Sequence, residues 1–303
     1  MQLARILSEV VNVLHPSSYL AGTPRTGKMI FMEEHQHLPE PNRLSILTAT
    51  ILLAYALTPF IKFPEAQFTV SLPGVVFPFS LTFGTVVAVL VALLAAFGTD
   101  WLLRGHPHLG KQRTFLHSLL PAMTAWVIGV PISSIAMSLE WWVVFALGGI
   151  LLALVFLAEY IAVDFSDVRF ALAAIGLNAV SYALYLILAI AIRQPDFRLY
   201  LLLPALFFPM ALVTYRSLFL RLNGRRCLTW SLGIALVISQ IGMAFHYWPV
   251  SSLAYGLILL GPAYALTSMA GSIEENRSWR SLWVEPVVML AVLWGLALIF
   301  GRR

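Results

Sequence analysis

Runs of about twenty apolar residues recur along the chain, separated by short segments that hold most of its charge. They fall near residues 44–63, 82–103, 116–138, 141–163, 169–192, 199–220, 229–248, 252–271 and 282–300. At a rise of about 1.5 Å per residue, each run is long enough as a helix to cross a hydrocarbon core of roughly 30 Å. The pattern predicts an all-α fold: a polytopic transmembrane bundle of about nine helices. Short connections force consecutive helices to run antiparallel as neighbours. Two segments depart from the pattern. In residues 1–14, Leu3, Ile6, Leu7, Val10, Val11 and Leu14 line one stripe while Arg5, Ser8, Glu9 and Asn12 line the other, which predicts an amphipathic helix lying on the membrane surface. A polar leader follows, so the chain divides into a cytoplasmic region over 1–43 and a single transmembrane domain over 44–303. Between the first two spans, QFTVSLPGVVFPFSLT alternates large apolar residues with smaller or polar ones around Pro73-Gly74. A short β-hairpin or re-entrant flap and an extended loop dipping into the headgroups both fit that alternation.

Composition agrees with a lipid environment. Of 303 residues, 60% are hydrophobic and 11% charged, against about 25% charged in soluble domains. The formal charge of +5 would hint at nucleic acid in a soluble protein, but the placement of the basic residues explains it otherwise. With the N-terminus inside, fourteen of the nineteen Lys and Arg fall on inner segments. The expected topology is therefore N-terminus cytoplasmic and C-terminus outside, in a bacterial inner (plasma) membrane, with no nucleic-acid partner. Tryptophans concur: seven of nine fall at predicted interfaces, and only Trp126 and Trp294 lie within spans. The single cysteine, Cys227, excludes an internal disulfide and multi-cysteine metal sites.

Ionisable residues within spans are costly and each needs a reason. Asp100 closes the second span in GTDW, Glu159 and Asp164 close the fourth in LAEYIAVDFSD, Arg216 lies in VTYRS of the sixth, and Glu285 opens the ninth in WVEPVV. All five fall within one or two turns of the inner face, and Glu159, Arg216 and Glu285 share a depth of about 4 to 6 Å inside it. They form a candidate intramembrane charged cluster in which Arg216 pairs with Glu159 or Glu285. Such a cluster either fixes helix order or serves as a proton, cation or headgroup site open to the cytoplasm. Pro286 behind Glu285 also fits a plain helix start, with the carboxylate at the positive end of the dipole. On the outer side, His246 in AFHYWP and Gln240 are candidate polar residues, read as an aromatic anchor and an amide that joins helices. Small and hydroxyl stripes in the fifth span (Asn178, Ser181, Tyr182, Tyr185) and the eighth (Gly256, Ala263, Tyr264, Thr267, Ser268) point to close helix packing over a substrate wall.

Several familiar chemistries are absent. His35 and His37, and His106 with His108, lack the helical HExxH spacing of a zinc site, and there is no P-loop or GxSxG elbow. SIEENRSWR resembles the paired-glutamate motif of CAAX-type intramembrane proteases, but Arg280 is wrongly spaced and no histidine follows His246. His117 and His246 lie near opposite faces, so one haem cannot use both. No cofactor or metal is expected, and the partners expected are the lipid bilayer and other membrane proteins. TDWLLRGHP, LAEYIAVDFSD, HYWP, GPAYALTS and WVEPVV together resemble an uncharacterised family of bacterial multi-pass membrane proteins of the Chloroflexota type. That resemblance implies architecture and transfers no functional residue. The function expected is a structural or accessory subunit of a membrane complex, with a small-solute or proton-coupled transporter and a lipid-modifying enzyme as alternatives.

Overall fold

A computed structural model describes residues 39–61, 66–72, 75–81, 83–106, 115–193 and 199–301. The surface helix expected over residues 1–14, and the leader that follows it as far as residue 38, lie outside the described residues. Helices α1 (Pro41–Leu57), α2 (Phe83–Leu103), α3 (Phe115–Ser134), α4 (Leu139–Ile161), α5 (Phe170–Ile192), α6 (Leu199–Arg221), α7 (Leu228–His246), α8 (Ser252–Glu274) and α9 (Trp279–Gly301) make up the bundle. Among the described residues, nine helices are long and apolar enough to cross a membrane. The α-helix of the first apolar run ends earlier than its hydropathy suggests, because Pro59 has no N–H to return to the Tyr55 carbonyl, which accepts from the Thr58 N–H instead. Thr58 precedes Pro59, and the chain tightens there into a 3-10 turn over Thr58–Phe60.

Between α1 and α2 the alternating segment forms a hairpin, the one non-helical element among the described residues. Strand β1 (Ala66–Leu72) pairs antiparallel with β2 (Val75–Leu81), in a register that sets Phe68 against Phe79 and Val70 against Phe77. Of the two arrangements its alternation allowed, the hairpin is the one that forms.

Two apolar cores fill the bundle. One is built by Leu47, Ile51 and Tyr55 of α1, Val87, Val91 and Ala95 of α2, and one side each of α3 and α4. The other gathers α5 to α8 against the opposite side of α3, through Leu120, Met123 and Val127, and against Val155 of α4. Helices α3 and α4 thus serve both cores. Helices α3 and α8 are the most enclosed, with 61% and 67% of their apolar windows buried, while α1 and α9 at 17% each lie on the periphery. The small-residue stripe of α8 does what close packing requires. A Cβ on Gly256 would lie 2.7 Å from Leu186 of α5, so that contact depends on glycine.

Proline inside these helices leaves carbonyls without their usual donor, and in lipid each needs another partner. In α8, Pro262 cannot donate to the Ile258 carbonyl, and Trp294 Nε1 of α9 donates to it instead at 3.3 Å. Other helix contacts are set by single phenols: Tyr55 of α1 donates to the Ala125 carbonyl of α3, and Tyr255 of α8 to the Gly242 carbonyl of α7 at 2.9 Å.

Candidate functional site

Where the two cores meet, near the end of the bundle that carries Arg104, Arg169, Arg225 and Arg226, three helices bring a charged group inside. Glu159 lies in the last turn of α4, where the helix dipole is negative and an unpartnered carboxylate would be disfavoured. Arg216 of α6 answers it with two hydrogen bonds, Nε donating to Oε1 at 3.2 Å and Nη2 donating to Oε2. The third member is His117, in the first turn of α3, with Nδ1 at 3.0 Å from Glu159 Oε2 and 3.3 Å from Arg216 Nη2. Residue exposures of 0% for Glu159, 1% for Arg216 and 3% for His117 put the whole triad out of contact with bulk solvent.

Aromatic rings close the site towards the basic end. Phe219, one turn beyond Arg216, lies under the guanidinium at 5.5 Å and meets the His117 ring edge-on at 6.2 Å. Phe165, from the α4–α5 loop, packs against Phe219 and against Phe170. The same helix turn that carries His117 is loosened at its backbone, because Pro121 has no N–H to return to the His117 carbonyl.

Two features of the triad bear on its chemistry. Guanidinium is a donor only, so His117 accepts from Arg216 when its Nδ1 carries no proton and donates to Glu159 when it does. One nitrogen therefore faces a donor and an acceptor, and the proton's place selects which bond is made. The other feature is Arg216 Nη1, which is buried with no hydrogen-bond partner. A metal ion is a poor fit, since the guanidinium already occupies the carboxylate and would repel a cation.

The remaining residues singled out in the sequence fall elsewhere. Glu285 is exposed on α9 and accepts a hydrogen bond from Tyr264 of α8 at 2.8 Å, so it shares the triad's depth without joining it. Helix α9 packs chiefly on α8, which keeps it away from α4 and α6. Asp100 pairs with Arg104 one turn on, at 2.6 Å. Asp164 folds its own loop, accepting from the Ser166 amide at 2.9 Å and hydroxyl at 2.6 Å. At the other end His246 is buried against Tyr247, its Nδ1 unpartnered. Gln240 does not join helices within the bundle: it is exposed on the outer face of α7.

A second network escaped the sequence reading. Arg221, the last residue of α6, grips Glu275 with two bonds, Nε to Oε1 at 2.8 Å and Nη2 to Oε2 at 3.2 Å, and also donates to the Ser268 carbonyl and the Ser272 hydroxyl. The Arg221 hydrogen bond holds the Glu275 carboxyl below its ordinary range. A Cβ on Gly271 would lie 2.8 Å from Arg221 Nε, so the guanidinium reaches its partners only across a glycine. His117 was missed because it was weighed as a haem ligand, although its position at an inner helix end was the available signal.

Fold and site together define the class: a multi-pass helical bundle whose buried charges are gathered at one end. The chain belongs to the family described as a protein of unknown function, DUF5656, whose model matches residues 63–300 and so takes in the hairpin, α2 to α8 and the whole triad. No curated protein and no solved structure matches the chain.

Proposed function

We propose that this protein is a non-enzymatic accessory subunit of a bacterial inner-membrane complex, with its N-terminus in the cytoplasm. The observation that carries the reading is Gln240. It stands six residues, about 9 Å, from the end of α7, well inside the apolar span, yet its amide faces out of the bundle. An amide facing hydrocarbon is unsatisfied, and the usual remedy is a hydrogen bond to another transmembrane helix. Gly233, one heptad earlier on the same exposed face, leaves open space that would let a partner backbone approach. On this reading the Glu159–Arg216–His117 triad holds three helices in order and presents that face. A photo-crosslinking residue at position 240 should capture a protein from native membranes, while one at Leu298, exposed on α9, should capture lipid. Lipid alone at both positions, with the purified chain running as a lone monomer, would remove the proposal.

A second reading, proton-coupled transport, draws on His117, whose Nδ1 has two exclusive hydrogen-bond arrangements within a buried charge cluster. Uptake by proteoliposomes that is unchanged by His117→Ala and Glu159→Gln would sink it.

A further inference from the structure

Helix α7 turns a strip of its surface away from the bundle. Thr229, Gly233, Leu236 and Gln240 stand on it at successive spacings of four, three and four residues, and all of them are exposed. Spacing that averages about 3.5 residues keeps a strip facing a single neighbouring helix along its length, the geometry of two helices crossing at about 20° with axes roughly 8 to 10 Å apart. From Thr229 to Gln240 the strip runs about 16 Å. Gly233 is its low point. A Cβ there would meet nothing within 4 Å, so no contact inside the bundle requires the glycine, and its surface is open to the close approach of another backbone.

We infer that the partner on this face is a second copy of the chain, packed α7 against α7 about a two-fold axis along the membrane normal. The inference rests on the reading of Gln240 given above and names the partner. Insertion gives every copy the same orientation, so a symmetric pair is related by an axis along the normal, and each residue on the strip meets its counterpart at its own depth. For a charged side chain that meeting is unfavourable, because two carboxylates or two guanidiniums repel. A carboxamide is different: it carries both an NH2 donor and a carbonyl acceptor, so two Gln240 amides satisfy each other with a reciprocal pair of hydrogen bonds. No ionisable side chain lies between Thr229 and Gln240 to oppose the pairing. Helix α9, also peripheral, shows the membrane Val284, Val288 and Val292, which hydrocarbon solvates as well as a partner would. Two chains joined through α7 enter the proposed complex as a pair, with both triads towards the same face of the membrane.

A photo-crosslinking residue at position 236 leaves Gln240 in place and, in cells that make the full chain with two different epitope tags, reads the partner directly. The expected adduct joins the two tagged forms. Capture of a different protein with no self-adduct would overturn this inference and leave the accessory-subunit reading standing, whereas lipid alone would remove both. The arrangement is read separately by disulfide formation in a Cys227→Ser background. Leu236→Cys should oxidise to a linked pair in the membrane, while Leu298→Cys, exposed on α9, should stay single. Gly233→Leu places its side chain in open space and is a better helix former, so it should fold as well as wild type. By holding the backbones apart it should cut the Leu236→Cys disulfide yield about fivefold or more, and Gln240→Leu should do the same by removing the amide pair. Equal cross-linking at Leu236→Cys and Leu298→Cys, or a yield untouched by either replacement, would overturn the paired arrangement.

Discussion

A glutamate with no exposed surface at the negative end of a membrane helix has one inexpensive solution, a guanidinium held by two bonds, and Arg216 supplies it. Removing one partner leaves the other charge buried and alone, so Arg216→Met or Glu159→Leu should each lower stability by about 3 to 5 kcal/mol, read as thermal unfolding in detergent. The double replacement removes both charges and should recover most of that loss; a double variant as unstable as the singles would show that the pair does more than neutralise itself. At the exposed end the pair Arg221–Glu275 acts through pH. Glu275 has its folded pKa below the unfolded one, so its contribution is full above the ordinary carboxylate range and disappears as pH falls through the lower folded value. Arg221→Gln should flatten that part of the acid limb in a melting series from pH 7 to pH 3. Gly271→Ala should copy it, because the new methyl takes the guanidinium's place. Sequence showed part of this. The common depth of Glu159 and Arg216 was countable from the helix ends, but depth is one coordinate, and whether Glu285 lay beside them depended on which helix packs on which. The Arg221–Glu275 bridge was not legible: Glu275 drew notice only within the paired-glutamate run SIEENRSWR and Arg221 only as one of the inner basic residues, since a bridge between two helix ends leaves no mark in local spacing.

At the scale of helices, the apolar runs set the number of spans, and local stereochemistry corrected their ends, as at Thr58-Pro59. The hairpin was legible as alternation; pairing decided between it and a loop, and pairing is not a property of a single segment. What hydropathy could not show is how α8 and α9 fit together. Pro262 orphans the Ile258 carbonyl, and Trp294, one of two tryptophans lying inside spans, satisfies it with its indole N–H. The bond explains why an indole sits there instead of at the headgroups. Trp294→Phe should destabilise the protein by about 0.6 to 1.7 kcal/mol, from the average to the largest value found for hydrogen bonds between membrane helices. In a Pro262→Ala background the helix supplies its own donor, so the same change should cost less. Equal cost in both backgrounds, measured as a double-mutant cycle by denaturant unfolding, would show that the indole acts by packing alone.

For the molecule as a whole, the two cores share α3 and α4, and the triad stands where they join, so the charges tie α6 to both helices of the seam. That end of the bundle is also where arginine collects, so the positive-inside rule predicts that it faces the cytoplasm, the orientation proposed above. Orientation can be read by thiol labelling, but the native cysteine is a poor reporter, because desolvation raises the Cys227 thiol and leaves less thiolate at neutral pH. Replacing it by serine and introducing one cysteine at a time avoids the problem. Arg226 is exposed at the basic end and Tyr247, 77% exposed, lies at the other, with the whole of α7 between them. In intact cells a membrane-impermeant maleimide should label Tyr247→Cys and spare Arg226→Cys; in inverted vesicles the pattern should reverse. A label on Arg226→Cys from outside intact cells would turn the molecule over, placing the triad and the Arg221 network on the external face, and would show that basic residues do not set the orientation of this chain.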